Sequence, residues 1–356
     1  MADRALISTR KGLFLFTKSG QYWAVAASHF AGEPVTLALH DPRDGALYAA
    51  LRLGHFGPKL HRSDDGGATW TEVAAPAFPA ETDGKPTLKQ IWALAAGGAD
   101  EPGVIWAGGI PAGLFRSEDK GASWKLVDAL WNVPDRTRWF GGGYDEAGIH
   151  SILRDPRDSR HLTVGLSCGG VWETKDAGAS WATRTNGLYA VYTPPEQKYD
   201  AAIQDPHCVA RCEAAPDVMW IQHHNGTFRS EDGGAHWQEM HPPISNFGFA
   251  VAAHPGEPGT AWFAPADSDM RRAPMNGRVV VNRTRDGGKS FETIGEGLPG
   301  EHAYDLIYRH GLAVDESGER LAMGSTTGGL WFSNDGGDGW SMAPARLPPI
   351  YAVAFA

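Results

Sequence analysis

The chain has 356 residues and a formal net charge of −10 at pH 7. This acidic balance argues against a nucleic-acid-binding surface, because phosphate binding requires an excess of Lys and Arg. No stretch approaches the roughly twenty apolar residues of a membrane span, and residues 1–16 lack the uninterrupted apolar segment of a signal peptide. The three cysteines do not suggest a disulfide framework. We therefore expect a cytoplasmic protein with neither a nucleic-acid nor a membrane partner.

The composition favours many short strands joined by turns. Glycine occurs 45 times, proline 24 times and tryptophan 14 times, which suits an all-β chain. No linker or low-complexity stretch divides the sequence, and closed all-β folds often exceed the usual length of one domain. We expect one domain over residues 1–356.

The two ends of the chain predict a shared sheet. Residues 5–8, 12–17 and 22–27 have the pattern of a second, third and fourth strand, but no first strand precedes them. The apolar run Ile350–Phe355 at the other end can supply it. Such a closure would remove the open edge that a linear array of sheets leaves exposed.

Between these ends one eight-residue pattern recurs six times. Each copy has a polar residue, an Asp two positions later, a Gly two positions after that, and an aromatic residue at the end. The copies, which we call the boxes, are Ser63–Trp70, Ser117–Trp124, Thr174–Trp181, Ser230–Trp237, Thr284–Phe291 and Ser333–Trp340. Their Asp residues lie 49 to 57 residues apart, a period typical of propeller blades.

The boxes predict tight turns and not an active site. A short acid can accept hydrogen bonds from the N–H groups of its own turn, and glycine supplies the positive φ that the turn needs. Six equivalent turns in one fold cannot all be one active site. We expect structural roles for Asp65, Asp119, Asp176, Asp232, Asp286 and Asp335.

Each box is expected on the turn between the third and fourth strands of a four-strand unit. The complete units are expected over residues 35–75, 88–127, 148–184, 206–241, 247–294 and 303–343. With the sheet shared by the two termini, the sequence predicts an all-β, seven-bladed β-propeller with four-stranded antiparallel blades. The carboxy-terminal strand would close it by joining the amino-terminal blade.

The boxes resemble those of the BNR, or Asp-box, repeat proteins. That superfamily of β-propellers includes sialidases, xyloglucan-cleaving glycosidases, the sortilin ectodomain and the photosystem II assembly factors. The resemblance runs nearly end to end, and it implies the fold far more than the chemistry.

The resemblance implies two kinds of glycosidase, and the sequence departs from both. Sialidases clamp a carboxylate with three arginines and use a tyrosine nucleophile with acidic helpers. Candidates here are Arg10, Arg271, Arg272, Tyr144, Tyr304, Glu301, Asp267 and Asp269. The Phe/Tyr-Arg-Ile-Pro signature is absent, however, and sialidases have six blades, so sialidase activity is not expected. Xyloglucanases resemble two facing propellers, whereas this chain supplies one.

Aligning the blades gives a candidate site at the start of the innermost strands. The aligned residues are Trp92, His150, His207, Phe249, Tyr304 and Tyr351, which predict an aromatic and histidine-rich mouth of the propeller channel. Together with the loop that leads into one such strand, this position gives the catalytic candidates His150, His207, His302, Tyr304 and Asp305. Loops expected at the same face add the ligand-binding candidates Arg10, His55, Lys59, His223, His224, Asn225, Asp267, Asp269, Arg271 and Arg272.

Structural alternatives stand beside each of these roles. Trp92, Phe249 and Tyr351 can simply pack the top of the channel. His150 and His207 can each donate to a loop carbonyl, transfer protons, or bind a divalent transition metal such as Zn, Fe, Ni or Cu. No compact metal motif such as His-Glu-x-x-His supports the last alternative.

Two long connections, residues 128–149 and 185–206, could be lids or docking surfaces. The sequence thus supports two hypotheses. In the first, a glycosyl-hydrolase-like or lyase-type protein binds a small polar or anionic ligand at the histidine- and arginine-rich face. In the second, a noncatalytic propeller binds a protein partner through exposed aromatic residues.

Overall fold

A computed structural model describes residues 1–142 and 144–356. The strands, in chain order, are β1 (Arg4–Thr9), β2 (Gly12–Ser19), β3 (Tyr22–His29), β4 (Val35–His40), β5 (Leu47–Arg52), β6 (Pro58–Ser63), β7 (Thr71–Val73), β8 (Gln90–Ala96), β9 (Ile105–Ile110), β10 (Leu114–Ser117), β11 (Lys125–Leu126), β12 (Gly148–Asp155), β13 (Asp158–Ser167), β14 (Gly170–Thr174), β15 (Ala182–Thr183), β16 (Pro206–Arg211), β17 (Met219–His223), β18 (Gly226–Ser230), β19 (Gln238–Met240), β20 (Gly248–Ala253), β21 (Ala261–Pro265), β22 (Val281–Thr284), β23 (Glu292–Ile294), β24 (Leu312–Val314), β25 (Leu321–Gly324), β26 (Leu330–Ser333), β27 (Ser341–Met342) and β28 (Ile350–Phe355).

Helical structure is confined to connections. The segments are the α-helix Asp128–Trp131 and 3₁₀ turns at Gly54–Phe56, Pro134–Arg138, Pro195–Gln197, Ala201–Ile203 and Met275–Gly277. Within the described part of the chain, none of the helices has the length and apolarity needed to cross a bilayer.

The strands form seven four-stranded sheets. Six are made of consecutive strands, β4–β7, β8–β11, β12–β15, β16–β19, β20–β23 and β24–β27, and the seventh has the order β28-β1-β2-β3. Neighbouring strands are antiparallel, for example β13 with β14 and β25 with β26. The predicted seven-bladed β-propeller is confirmed.

The seventh sheet joins the two ends of the chain. Strand β28 pairs antiparallel with β1, from Ala5 opposite Phe355 to Thr9 opposite Ile350. Ile7, Ile350 and Val353 are buried in one apolar cluster. The carboxy-terminal strand therefore takes the position in this blade that β4, β8 and β12 take in theirs, as the sequence predicts.

Contacts divide the chain into two compact units. The first contains residues 1–35 and 207–356, and the second contains residues 36–206. Each has its own apolar core with buried tryptophans on the sheets: Trp262 and Trp331 in the first unit, Trp106 and Trp172 in the second. A single domain over the whole chain stays a prediction.

All six boxes form the same hydrogen-bonded turn. In the third box the Thr174 hydroxyl donates to Asp176 at 2.7 Å and accepts the Gly178 N–H at 2.9 Å. The backbone N–H and the hydroxyl of Ser180 both donate to the same carboxylate, at 2.8 and 2.6 Å. Each of the other five boxes repeats the bonds to its first residue and the backbone bond to its Asp. The box carboxylates are thus occupied within their own turns.

One strand differs from the prediction. The first strand of the sixth blade is Leu312–Val314, and residues 301–310 contain no strand. His302 has a φ of 64°, which interrupts an extended chain, and the Ala303 N–H bonds to the Gly277 carbonyl at 2.9 Å. Tyr304 and Asp305 therefore lie in a loop, and the alignment of Tyr304 with His150 and His207 is wrong.

The closing strand gives a first testable prediction. Deletion of residues 350–356 should unfold or aggregate the protein, because it exposes the edge of β1 and removes Ile350 and Val353 from the core. Thermal melting and size-exclusion chromatography measure the effect, and removal of Ala356 alone is the control. A soluble truncated protein with an unchanged melting temperature would contradict the closure.

The box carboxylates give a second prediction, on acid stability. The hydroxyl of Ser180 and its N–H help to lower the pKa of Asp176 to about 2, and the equivalent serines lower the pKa of Asp119 and Asp286 to about 2. An unfolded Asp has a pKa of about 3.9. These carboxylates therefore stabilise the fold above about pH 4, and we expect that stability to be lost as the pH falls towards 2.

Asp176→Ala tests this expectation. The variant should melt at a lower temperature than the parent at pH 7 and lose less stability than the parent between about pH 4 and 2. Circular dichroism against temperature at several pH values measures both effects. Asp83→Ala, at an exposed position outside the boxes, is the matched control. Equal melting temperatures for Asp176→Ala and the parent at pH 7 would count against a structural role.

Candidate functional site

Four of the six aligned residues are the extra residue of a β-bulge. The pairing of the first strand with its neighbour skips Trp92, His150, Phe249 and Tyr351 in their respective blades. A bulge disrupts the ladder locally and redirects a side chain. The sequence alignment therefore found a real structural position in these four blades.

Two of the six aligned residues, His150 and His207, bond to the next blade. His150 Nε2 lies 2.7 Å from the Pro206 carbonyl oxygen, and His207 Nδ1 lies 2.6 Å from the Gly248 carbonyl oxygen. His150 Nε2 and His207 Nδ1 must each carry a hydrogen, because a carbonyl oxygen can only accept. In both cases the acceptor immediately precedes the aligned residue of the following blade. The two histidines therefore make inter-blade hydrogen bonds.

Thr36 makes a third bond of this kind. Its hydroxyl lies 3.1 Å from the Ile91 carbonyl oxygen and 3.2 Å from the Ala50 carbonyl oxygen of the neighbouring strand β5, and Ile91 precedes the bulge residue Trp92. Thr36 was not among the sequence candidates, although its place as the second residue of β4 matches that of His207 in β16. The shared feature of Thr and His is a side-chain donor, which an alignment by aromatic character does not detect.

These bonds are close to one of the alternatives for His150 and His207, donation to a loop carbonyl, but both acceptors are the first residues of strands, β16 and β20. The second ring nitrogen of His150, Nδ1, is 2.9 Å from the Ser151 hydroxyl. A metal ion at His150 would have to displace one of these two partners. Catalytic and metal-binding roles for His150 and His207 stay predictions.

In the first unit, Phe249 is packed from several sides. His207 stacks on its ring at a centroid distance of 4.5 Å, and Phe247 and Tyr308 meet it edge to face. The guanidinium carbons of Arg272 and Arg309 each lie 5.6 Å from the ring centre. Phe249 is 2% exposed, which agrees with its expected packing role.

Arg272 also has a carboxylate partner. Its Nη2 is 2.5 Å from Asp269 Oδ1. Burial alone would lower the pKa of Arg272, but the hydrogen bonds that Arg272 donates to Asp269 and Tyr308 outweigh burial and raise the pKa above its usual value. Two sequence-predicted ligand-binding residues, Arg272 and Asp269, thus bind each other.

In the second unit, Trp92 meets both Tyr144 and His150 edge to face, at 5.4 and 5.7 Å. The Tyr144 hydroxyl is 3.4 Å from Gln90 Oε1. These contacts attach the end of the long connection 128–149 to β8. Its neighbour Gly143 lies outside the described residues.

The sequence-predicted residues outside the cavity have contacts of their own. Lys59 forms an ion pair with Glu72 at 2.7 Å, and the ring of His55 lies 4.0 Å from that of Phe56. His223 is buried and its Nδ1 accepts the Asn225 N–H at 3.1 Å, so both residues shape a turn. Further contacts are made by His224, edge to face with His207 at 5.4 Å, and by Arg10, whose backbone N–H bonds to the Pro349 carbonyl at 2.9 Å.

A cavity of about 890 Å³ lies within the first unit and gathers five of the sequence-predicted residues. Those residues are Asp267, Arg271, Glu301, His302 and Tyr304. The other lining residues are Ile244, Ala273, Pro274, Met275, Asn276, Gly277, Arg278, Val280, Thr293 and Ala303. Its size falls in the range of small-molecule sites, about 300–1,000 Å³.

Two ion pairs line this cavity. Arg271 Nη1 is 2.9 Å from Asp267 Oδ2, and Arg278 Nη2 is 3.1 Å from Glu301 Oε1. Both arginine side chains are largely exposed, at 78% and 59%. Arg278 was not among the sequence candidates, because nothing in its neighbourhood indicates that it faces residues 301–304.

The backbone brings the two sides of the cavity together. Gly277 has a φ of 65°, and a Cβ there would lie 3.3 Å from the His302 nitrogen, so the two segments approach closely. His302 and Asn276 also have positive φ, at 64° and 54°. Left-handed residues other than glycine are uncommon and often occur at ligand sites. Asp305, just beyond, accepts hydrogen bonds from Ser325 and Thr327.

No known family model matches the sequence. A probable oligoxyloglucan-reducing end-specific xyloglucanase of Neosartorya fischeri is 25% identical over 351 residues, which cover 89% of this chain and 39% of that protein. The chain therefore spans well under half of this relative.

Solved structures with the same fold include xyloglucanases and YCF48 proteins. The GH74 xyloglucanase from Xanthomonas campestris superposes with a TM-score of 0.68 at 19% identity, covering 100% of this chain and 52% of that one. YCF48 from Cyanidioschyzon merolae gives 0.54 at 14% identity, covering 94% of each chain. YCF48 bound to D1 peptide gives 0.52 at 16% identity, covering 88% and 83%. At these identities the likeness shows the β-propeller fold alone.

The inter-blade bonds give a third prediction. His207→Ala should lower the free energy of unfolding by about 1–3 kcal/mol, because it removes the donor to the Gly248 carbonyl from a buried site. His207→Gln keeps an N–H donor and should recover part of the loss. Chemical denaturation measures both, with exposed His55→Ala as the control. A His207→Ala variant as stable as His55→Ala would contradict this role.

Proposed function

We propose that this chain is an Asp-box repeat propeller that binds a small polar or anionic ligand in the cavity of the first unit. We further propose that it acts on that ligand as a hydrolase or lyase. The identical hydrogen bonds of the six boxes support the repeat assignment. The three free cysteines support a cytoplasmic location, and the continuous run of blades supports a single domain.

The cavity is the observation that carries this proposal. It places His302, Tyr304, Asp267 and Glu301, all groups that can donate or accept a proton, around one space. Arg271 and Arg278 offer N–H donors to oxygen atoms of a ligand. Asp305 does not line the cavity and, through Ser325 and Thr327, would hold the segment that carries Tyr304 in position.

The similarity to xyloglucanases supports a glycan as the ligand. The N. fischeri protein is described as acting on oligoxyloglucan reducing ends, and it matches nearly the whole of this chain. The chain spans only part of that protein, so its activity is carried over here as a proposal.

Cavity variants test this function. Xyloglucan oligosaccharides, oligouronates and citrate can be screened by saturation-transfer NMR against the parent, Tyr304→Ala and Arg271→Ala. At least one ligand should bind the parent and lose most of its signal in both variants. Tyr199→Ala is the matched control, because Tyr199 and Tyr304 are both 69% exposed and Tyr199 lies outside the cavity. Binding that is unchanged in both cavity variants, or no binding to the parent at all, would refute the proposal.

A second candidate function is docking of a protein partner. Within the second unit, the long connections 128–149 and 185–206 expose Phe140, Tyr144, Tyr192 and Tyr199. Exposed aromatic residues are typical of interaction surfaces, and one solved propeller of similar fold, YCF48, is bound to a D1 peptide. Binding of a protein or peptide that is lost in Tyr199→Ala but kept in Tyr304→Ala would favour this function over the cavity.

A further inference from the structure

We infer that the cavity selects an uncharged, polyhydroxylated ligand, such as one end of a neutral oligosaccharide, over a carboxylated one. This inference rests on the proposed function, because it specifies the ligand class of the same cavity. It is narrower than the polar or anionic ligand expected from the sequence. Three observations support it: the charge balance of the lining, the arrangement of donors and acceptors, and an exposed aromatic face.

The charges of the lining residues balance. Arg271 and Arg278 contribute two positive charges, and Asp267 and Glu301 contribute two negative charges. Each arginine has a carboxylate within 3.1 Å. The lining is therefore formally neutral when His302 is neutral. A cavity built for an anion would instead present an excess of guanidinium groups.

The same ion pairs disfavour a ligand carboxylate. Arg278 has its partner Glu301 at 3.1 Å, so a second carboxylate at this guanidinium would lie close to a like charge. It would bind only by displacing Glu301 or by sharing the guanidinium with it. A hydroxyl group meets no such repulsion, because it is uncharged.

Paired arginine and carboxylate groups suit hydroxyls. A guanidinium has five N–H donors, and each of these arginines uses one of them in its ion pair with the lining carboxylate. The carboxylate beside it has lone pairs left to accept. Each pair thus presents donors and acceptors side by side. Neighbouring hydroxyls of a sugar ring require both, since every hydroxyl donates once and can accept.

The rest of the lining suits the C–H face of a sugar ring. Tyr304 is 69% exposed, so its ring face is open to a ligand. Pro274, Met275 and Ala303 add apolar surface to the same cavity. A pyranose combines an apolar C–H face with a rim of hydroxyls, and an aromatic ring next to polar pairs matches both features.

Two matched sugars test the inference. Cellotriose and β-1,4-linked triglucuronate differ only in the hydroxymethyl groups that the second replaces by carboxylates. Isothermal titration calorimetry at low salt should give a dissociation constant at least about tenfold lower for cellotriose with the parent protein. Tyr304→Ala should weaken the binding of cellotriose, which places the binding in the cavity.

A charge variant separates selectivity from binding. Glu301→Gln leaves Arg278 without its ion-pair partner, and it should tighten triglucuronate binding by about tenfold. Cellotriose, which loses a carboxylate acceptor for its hydroxyls, should bind no more tightly than it binds the parent. Glu316→Gln is the control, since Glu316 is an exposed acid that pairs with the amino group of Met1 and does not line the cavity. It should leave both affinities unchanged.

The outcomes distinguish this inference from the proposed function. If triglucuronate binds the parent as tightly as cellotriose, or if Glu301→Gln does not tighten triglucuronate binding, then the inferred charge selectivity is wrong. The proposed function, a ligand bound in the cavity, would still stand. If neither sugar binds, or if Tyr304→Ala binds both as well as the parent, then the sugar-binding cavity itself is refuted and the inference falls with it.

Discussion

The pairing of β28 with β1 is the contact on which the closure of this fold depends. Without Ile350–Phe355, the first blade would have three strands and an unpaired edge at Arg4–Thr9. The pairing joins residues almost a whole chain apart, so it closes a far longer loop than any of the box turns does. The boxes contribute differently, because each is a local turn that fixes one hairpin.

Bulges at the start of the first strands connect the blades to one another. A bulge breaks the regular ladder, and the carbonyl that precedes it becomes an acceptor for the neighbouring blade. Thr36 uses the Ile91 carbonyl in this way, and His207 uses the Gly248 carbonyl. The histidines that looked most like catalytic residues in the sequence are therefore part of the blade packing.

The cavity has a different origin. It lies where the connection after β21 meets the loop that leads towards β24, and the left-handed residues Asn276 and His302 shape its two sides. Its polar groups are on loops, which tolerate unusual backbone conformations better than a sheet does. The rigid strands thus position a site whose chemistry comes from irregular segments.

The sequence by itself determined the blades, because the boxes are local hydrogen-bonded turns that recur at a fixed period. It also identified the pairing of the termini, since Ile350–Phe355 is apolar and the first blade lacks a strand. Only the tertiary structure decided which residues meet. His150 and His207 bond to carbonyls of neighbouring blades, and Tyr304 leaves the aligned position because His302 turns the chain. Arg278 joins Glu301 across a loop contact that no periodicity encodes.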